Sequence, residues 1–397
     1  MVIVGGGLVG ASLAIALDRI GVDVALVEAT AAGALPAVFD ERNLSFADAT
    51  INALTALGVL QKLRAPGGPI RRIHVSRNGD FGRVRLEAAD YGRESFGQVV
   101  VARDFGQALE ARLVELTHLT RYRPARFVGL DDAGADARDL RIVDAQGEHV
   151  LSARLLVAAD GTRSGVRDAL GVGDDKHDYA QTLFVARMRA ERAPDGTAYE
   201  RFGDFGPTAL LPRGDRHYGV VHGVARDAAD AVAQLHDNAF LARIQHAFGW
   251  RVGRFLSVGT RSAYPVIRVL ASRITAARAV LVGNAAQTLH PVGAQGFNLG
   301  LRDALTLAEL IEAGGSDPGA GELLAEYAAR RNDDRARTVA FSDGLARLTA
   351  DRAPLLRPLR SAGLLALDRL PSAQAWLVGG AMGYRGDVPK LCRAGAA

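Results

Sequence analysis

Short, nearly wholly apolar runs stand at widely separated places in the chain: Val2–Val4, Val22–Val27, Leu155–Ala159 and Ala279–Val282. Runs this short, bounded by Gly, Asp or Glu, are the pattern of strands buried on both faces of a parallel sheet. Between the first two lies Leu8 to Ile20, apolar almost all round, which predicts a buried helix stopped by Gly21. A second helix is predicted from about Asn298 to Ile311, NLGLRDALTLAELI. Elsewhere the period changes to two. Ile70–Leu86 alternates apolar and polar residues around Asn78-Gly79, a hairpin signal. Leu183–Arg189 and Thr208–Val224 also read as strands, the latter turning over Pro212–Asp215. Asp132–Asp139, rich in Asp, Ala and Gly, reads as a loop. The tail from about residue 342 reads as helices over Leu345–Leu348, Leu355–Leu370 and Ala373–Val378, with Pro358 tolerated in a first turn. No internal repeat is apparent.

The α/β pattern is joined by a phosphate-binding signature at its start. Gly5, Gly7 and Gly10 form G-x-G-x-x-G directly after the first strand. Gly5 permits the tight turn, Gly7 lets backbone approach a pyrophosphate, and Gly10 lets the helix pack closely. Glu28 ends the second strand, 18 residues beyond Gly10, where an acid takes the adenosine ribose hydroxyls. Strand, helix, strand and terminal acid in register make this a dinucleotide site, without separating FAD from NAD.

Two further segments carry a resemblance. LLVAADGTRSGVR, Leu155–Arg167, resembles the Asp-Gly motif of the class A flavoprotein monooxygenases, the para-hydroxybenzoate hydroxylase superfamily. LVGNAAQTLHPVGAQGFNLGLRD, Leu281–Asp303, resembles that family's flavin-contacting loop and helix. The resemblance implies FAD as cofactor. It places Asp160 near FAD and the path of the nicotinamide donor; capping of the following helix is a compatible role. It places Asn284 on the ribityl chain, where the family commonly has Asp, and Gln287 where it commonly has His. Asn keeps an acceptor and gains a donor. The turn of His290-Pro291, Gly293, Gly296, Phe297 and Asn298 would lie against the isoalloxazine ring, with the helix amides aimed at its pyrimidine edge. His290 is expected to be structural or flavin-proximal, not a base.

Within that family, GNAAQTLHP, the C-terminal AMGYRGDVPKL (Ala381–Leu391) and DERNLSFADATINALTALG (Asp40–Gly58) resemble the 2-polyprenyl-6-methoxyphenol hydroxylases of ubiquinone biosynthesis. Arg42 matches a family arginine near the FAD. Gly293-Ala294 departs from the branch's more usual Ala-Gly. The implied fold is a glutathione-reductase-type, Rossmann-like FAD domain (1–70, 98–172 and 265–345), a β-sheet substrate domain (71–97 and 173–264) and a helical C-terminal region (346–397). The implied activity is aromatic ring hydroxylation: NADPH or NADH reduces FAD, and a C4a-hydroperoxide formed with O2 oxidises the phenol. FAD carries that chemistry, and the protein supplies orientation, electrostatics and dryness. No catalytic base is assigned; Tyr179, Tyr218 and Tyr264 are bare candidates. A sibling hydroxylase of another ring position or another phenol, and a non-catalytic flavin-binding scaffold, remain alternatives.

Composition narrows the partners. The 397 residues are 48% hydrophobic, enough for a large core and two or three domains. Net charge is +4, and only three of the 48 basic residues are lysine (Lys62, Lys176, Lys390). No basic cluster with interleaved aromatics is present, so nucleic acid is not expected. No HExxH or paired CxxC occurs, so no metal is expected. The lone Cys392 excludes a disulfide framework and reads as an incidental thiol. No signal peptide and no apolar run of spanning length is read, so a cytoplasmic enzyme is expected. Leu355, Leu356, Leu359, Leu364 and Leu365 beside Arg357, Arg360 and Arg369 allow peripheral contact with the inner membrane, where a polyprenyl substrate dissolves; packing on the core or on a partner is the alternative. Other ubiquinone-biosynthesis proteins are potential partners.

Overall fold

Val2–Val4 lies in the middle of a six-stranded sheet whose order is Thr275–Ala276, Ala279–Leu281, Leu156–Ala158, Val2–Val4, Val24–Val27, Leu119–Tyr122. The computed structural model describes residues 1–36, 40–315, 317–350 and 356–393, with backbone only at 133, 349, 350 and 356. Apart from the antiparallel first pair, the strands run parallel, with Val2 opposite both Leu156 and Ala25. Being covered on both sides, they are apolar throughout, as the short runs implied. The first helix, Leu8–Asp18, is shorter than expected: the chain leaves it at Gly21, whose φ of +71° suits glycine. That helix packs between the sheet and a helix at Gln295–Ala313, within a core that includes Ile3, Leu13, Leu17, Leu26, Val157 and Leu281.

A nine-stranded sheet forms the second layer system. The expected hairpin is present as Arg72–Arg77 and Arg83–Glu87, and Gly206–Pro212 pairs with Tyr218–Ala225 about the expected turn. The strand seen at Leu183–Arg189 is much longer, Asp174–Ala190, and it is interrupted at Ala180, whose φ is +52°. The sheet continues past residue 264 through Ser262–Ala271 and Gln287–Thr288, so it reaches into the flavin-loop segment. Its back face is covered by a helix, Asp237–Phe248, which the sequence reading did not anticipate. Phe240, Ile244 and Phe248 of that helix pack on Phe184, Ala186, Leu210 and Val220. The front face is turned to the flavin loop and the C-terminal helices.

Asp132–Asp139 is not all loop. Arg126–Ala133, Arg138–Asp144 and Gly147–Ala153 form a three-stranded antiparallel sheet, and only residues 134–137 turn. Pairing overrides the turn-forming composition there, because Leu140 and Ile142 are fully buried.

The tail is helical as expected, with different boundaries. One helix runs unbroken over Gly321–Ala350, followed by Leu356–Arg369 and Pro371–Ala381. Pro358 lies in the first turn of its helix, where its missing N–H is harmless. The expected apolar face is divided. Leu364 packs inward in a cluster with Val84 and Leu86, and Arg360 is buried against Asp80, while Leu359 and Leu365 are exposed. Leu355 lies outside the described residues.

Gln295–Ala313 and Gly321–Ala350 are locked together by buried charge. Arg331, fully buried, donates to Asp303 (2.8 Å) and Asp334 (2.7 Å), and Arg302 donates to Asp334 (2.7 Å). Burial alone would raise the Asp334 carboxyl, but Arg302 and Arg331 outweigh it and hold it down to about 2. Removing one member strands the others. Arg331→Met is therefore expected to cost about 3–5 kcal/mol in a thermal or urea unfolding experiment. A depressed carboxyl contributes stability above its unfolded value near ~4 and loses it on acidification. Wild-type stability should accordingly fall between about pH 4 and 2 more steeply than that of Arg331→Met.

Candidate active site

The motifs converge at the C-terminal ends of the parallel strands. Gly5 follows the first strand, Glu28 the second, Asp160 follows Leu156–Ala158, and Gly283-Asn284 follows Ala279–Leu281. Open α/β sheets bind ligands at that edge. Gly5 has φ +108°, and a Cβ on Gly10 would lie 2.0 Å from the Gly5 carbonyl oxygen and 3.1 Å from Ala159 Cβ. Gly7 immediately precedes the helix as its N-cap, in extended conformation. The Glu28 carboxylate accepts from the Gly6 (2.7 Å) and Thr30 (2.8 Å) amides, which leaves roughly two lone-pair sites free. Beside it lies a small recess lined in part by Gly6, Ala11, Leu35, Pro36 and Arg123.

Asp160 does cap the helix after it: its carboxylate accepts from Ser164 Oγ and from the Val166 amide. Burial nevertheless lifts its carboxyl above the ordinary range. The Asp-Gly and Gly-Asn turns are stitched together. Arg167 donates to the Thr162 and Ala285 carbonyls, and Thr162 Oγ1 meets Thr288 Oγ1 at 2.9 Å. Asn284 is exposed at the edge, its amide open to a ligand. Gln287 points the other way: buried, it donates to Asp303 (2.6 Å) and accepts from Arg335 (3.1 Å). Asp303 also accepts from the Gly283 amide, so the ionic lattice holds the Gly-Asn turn directly. The sequence reading missed Asp303. Its signal was present as an adjacent Arg302-Asp303 pair in the apolar middle of the helix, between Leu299-Gly300-Leu301 and Ala304-Leu305.

The flavin-loop helix starts three residues earlier than expected, at Gln295. Its first-turn amides have no acceptor within the helix. Gly293 (φ +71°) and Ala294 (φ +52°) both take left-handed backbone. For alanine that costs about 1–2 kcal/mol. Pro291 and Gly293 are exposed on the loop, and Gly296 is half-buried. Two expected flavin contacts face inward through their side chains. Phe297 packs on Phe46 and Phe105. Asn298, 2% exposed, accepts from the Ala47 amide and Thr50 Oγ1 and donates to the Ser45 and Ala294 carbonyls. The Asn298 side chain is fully engaged, while the half-buried Phe297 ring keeps some accessible surface. His290 accepts from the Val292 amide at Nδ1, so Nε2 carries the proton toward Gln181. Burial lowers its pKa to about 4, which suits the structural role expected of it and not that of a base.

Arg42 makes a bidentate pair with Asp40 (2.9 and 2.8 Å) and stacks 4.4 Å over the Tyr264 ring, whose hydroxyl donates to the same carboxylate. Tyr264 thus ties the large sheet to the nucleotide domain. Tyr218 is buried on the helix-covered back face, away from the flavin loop. The Tyr179 hydroxyl is spent on Asp343 (2.6 Å). None of the three tyrosines is free to act as a base. Burial pushes the Cys392 thiol up to about 12, leaving it inert.

This arrangement defines a flavoprotein fold of the glutathione-reductase type, with the nine-stranded sheet facing the Val292 loop. A family model described as "FAD binding domain" matches residues 1–342. The chain is 35% identical to ubiquinone hydroxylase UbiL of Rhodospirillum rubrum, over 99% of this chain and 92% of that one. It is 30% identical to 3-demethoxyubiquinol 3-hydroxylase of Escherichia coli, over 92% and 94%. Among solved structures, p-nitrophenol 4-monooxygenase PnpA of Pseudomonas putida shares the fold with TM-score 0.78 at 19% identity, covering 97% of this chain and 98% of that one. The chain belongs to this FAD-binding family and is a FAD-dependent monooxygenase.

The residues present fit FAD. Gly5, Gly6 and Gly10 have no room for side chains, Glu28 keeps acceptor sites free at the strand end, and Asn284 and the exposed Gly293 backbone stand beside a helix N-terminus. Gly10→Ala is expected to purify colourless, because its methyl would overlap the Gly5 carbonyl and displace the turn. A yellow variant retaining absorbance near 450 nm after desalting would refute this placement of the pyrophosphate.

Proposed function

We propose that the chain hydroxylates the ring of a polyprenyl phenol on the route to ubiquinone, with 2-polyprenyl-6-methoxyphenol as substrate. The observation that carries this reading is the end-to-end likeness to a ubiquinone hydroxylase, from the glycine turn to the C-terminal helices. FAD, when bound, supplies electron transfer from NAD(P)H and activation of O2. The protein's own part is positional and electrostatic. The Gly5–Gly10 turn and the amides of the following helix cradle the pyrophosphate; Glu28 takes the ribose; Asn284 reaches the ribityl chain. The amides at Gln295, Gly296 and Phe297 favour negative charge at the flavin's pyrimidine edge. Arg42 and Asp160 flank the cofactor from opposite turns. The front face of the nine-stranded sheet lies across the loop and excludes water, which protects reactive oxygen species from wasteful decay.

Deleting the gene in its host and analysing quinone precursors by mass spectrometry tests the reading. The expected result is accumulated 2-polyprenyl-6-methoxyphenol and loss of ubiquinone, both reversed by restoring the gene. Accumulation of a later, already hydroxylated precursor would move the activity to another ring position. Unchanged ubiquinone in a host without a second such hydroxylase would overturn it.

The same reading includes peripheral membrane contact. Among the described residues no helix is long and apolar enough to cross a membrane. The hairpin tip, the end of the long helix and the Leu356–Arg369 helix meet where Arg360 pairs with Asp80 and reaches the Leu348 carbonyl. Phe81 (72% exposed), Leu348 (50%) and Leu359 (67%) project from those three segments, near Arg357. Apolar side chains beside cations suit an anionic bilayer surface. The holoenzyme should float with anionic liposomes, and Phe81→Ser/Leu359→Ser should remain at the bottom of the gradient; no flotation of wild type would count against the contact.

A further inference from the structure

Glu200 breaks the pattern of its surroundings. It sits midway along Thr197–Gly203, TAYERFG, between Gly206–Pro212 and Arg72–Arg77, directly opposite Ala209 and Val75. Alternation puts it on the same face as Ala198 and Phe202. That face is the front one: Phe202 packs with Val292 of the flavin loop and Ala346 of the long helix, and Ala198 packs with Val378 and Met382 of the C-terminal helices. Tyr199, one residue away, faces the opposite side, against Phe248. A carboxylate therefore stands in an apolar ring between flavin loop and C-terminal helices. No hydrogen bond or ion pair reaches it from any described residue. Surrounding protein enfolds it enough for desolvation alone to raise its carboxyl to about 7, yet it keeps accessible surface. An unpartnered buried acid costs free energy, and sequences keep such violations where function needs them.

We propose that Glu200 receives the substrate's ring hydroxyl: its carboxylate accepts the phenol O–H hydrogen bond and takes that proton during hydroxylation. The O–H bond breaks, its electron pair stays on the ring oxygen, a carboxyl O–H forms, and the proton returns to the product phenolate. A phenolate pushes electron density onto the ring carbon that must attack electrophilic oxygen. The other ionisable groups on elements packed over this face are engaged elsewhere. His290 is held between Val292 and Gln181, Asp343 by Tyr179 and Arg347, and Arg77 and Arg360 by Asp80.

This inference rests on the phenol-hydroxylase reading above, and its test separates the two. The FAD-loaded enzyme is assayed with 2-geranyl-6-methoxyphenol and with its methyl ether, which has no proton to give. Wild type should bind the phenol about tenfold more tightly than the ether, and kcat/KM for ring hydroxylation should rise with pH through about 7. Glu200→Gln, nearly isosteric, should load FAD, keep only a reduced preference for the phenol because its amide oxygen still accepts a hydrogen bond, and lose about 10²-fold in kcat/KM together with the pH limb; Glu200→Asp should recover part of it. Wild-type preference and pH limb retained in Glu200→Gln would overturn the assignment and leave the hydroxylase reading standing. Should Glu200→Gln not retain FAD, the wild-type preference and the Glu200→Asp pH profile decide: equal binding of phenol and ether overturns the assignment. No product from either phenol-treated wild type or variant would overturn both.

Discussion

The buried lattice of Asp303, Arg331, Asp334 and Arg302 is the constraint on which the site depends. Ions taken out of water lose several kcal/mol of solvation each, so a lattice like this persists only when every charge is met. Here Asp334 meets two guanidiniums, and Asp303 meets one, spending its other oxygen on the Gly283 amide and the Gln287 side chain. A flexible turn is thereby fastened to two long helices. Coulomb interactions in a low-dielectric interior are strong, and the hydrogen bonds from the Gly283 amide and Gln287 are directional, so Asp303 holds the Gly-Asn turn in place. Gln287 fits this role as well as a histidine would, since its amide donates to Asp303 and accepts from Arg335 at once. The departure at that position is a change of lattice chemistry away from the cofactor. Asn284, three residues earlier, is on the exposed side, so the two departures are physically independent.

What was legible in the sequence was whatever short-range physics dictates. The glycine turn, the acid ending the second strand and the Asp-Gly and Gly-Asn turns are local signals, and the structure brings all of them to one sheet edge. The hairpin at Asn78-Gly79 was readable for the same reason. Long-range pairing was not. Asp139 looks like a loop residue until a partner strand pairs it with Ser152. The helix Asp237–Phe248 has its apolar residues at Phe240, Ile244 and Phe248, a helical spacing overlooked in a region read as sheet. Phe297 and Asn298 were placed on the flavin because they lie in the flavin loop. The Asn298 side chain clamps that loop to Ser45, Ala47 and Thr50, some 250 residues away in sequence, and the Phe297 ring packs on Phe46 and Phe105; no local pattern reveals such contacts.

The fold divides its labour between two surfaces. The strand-end edge is built from backbone: glycines, turn amides and a helix N-terminus, with side chains used chiefly to hold the turns. The sheet above it is built from side chains, apolar toward the loop and packed behind by a helix. A long-tailed phenol needs both: apolar surface for the tail and ring, and one polar group to orient the ring. Tyrosine could have served as that group, but each tyrosine near the site is already committed, Tyr264 to Asp40, Tyr179 to Asp343 and Tyr218 to the rear core. His290 is committed too, and burial keeps it neutral. Once the engaged groups are set aside, the carboxylate of Glu200 is the acid on the front face with no described partner. Its location on a central strand matters as much as its chemistry. Both neighbouring strands hold its backbone in register, so the carboxylate is presented from a rigid element while the flavin loop opposite is fixed by the ionic lattice. Substrate would then be held between two surfaces whose separation neither side chain motion nor loop motion can easily change, which is the condition for aiming one ring carbon at one oxygen atom.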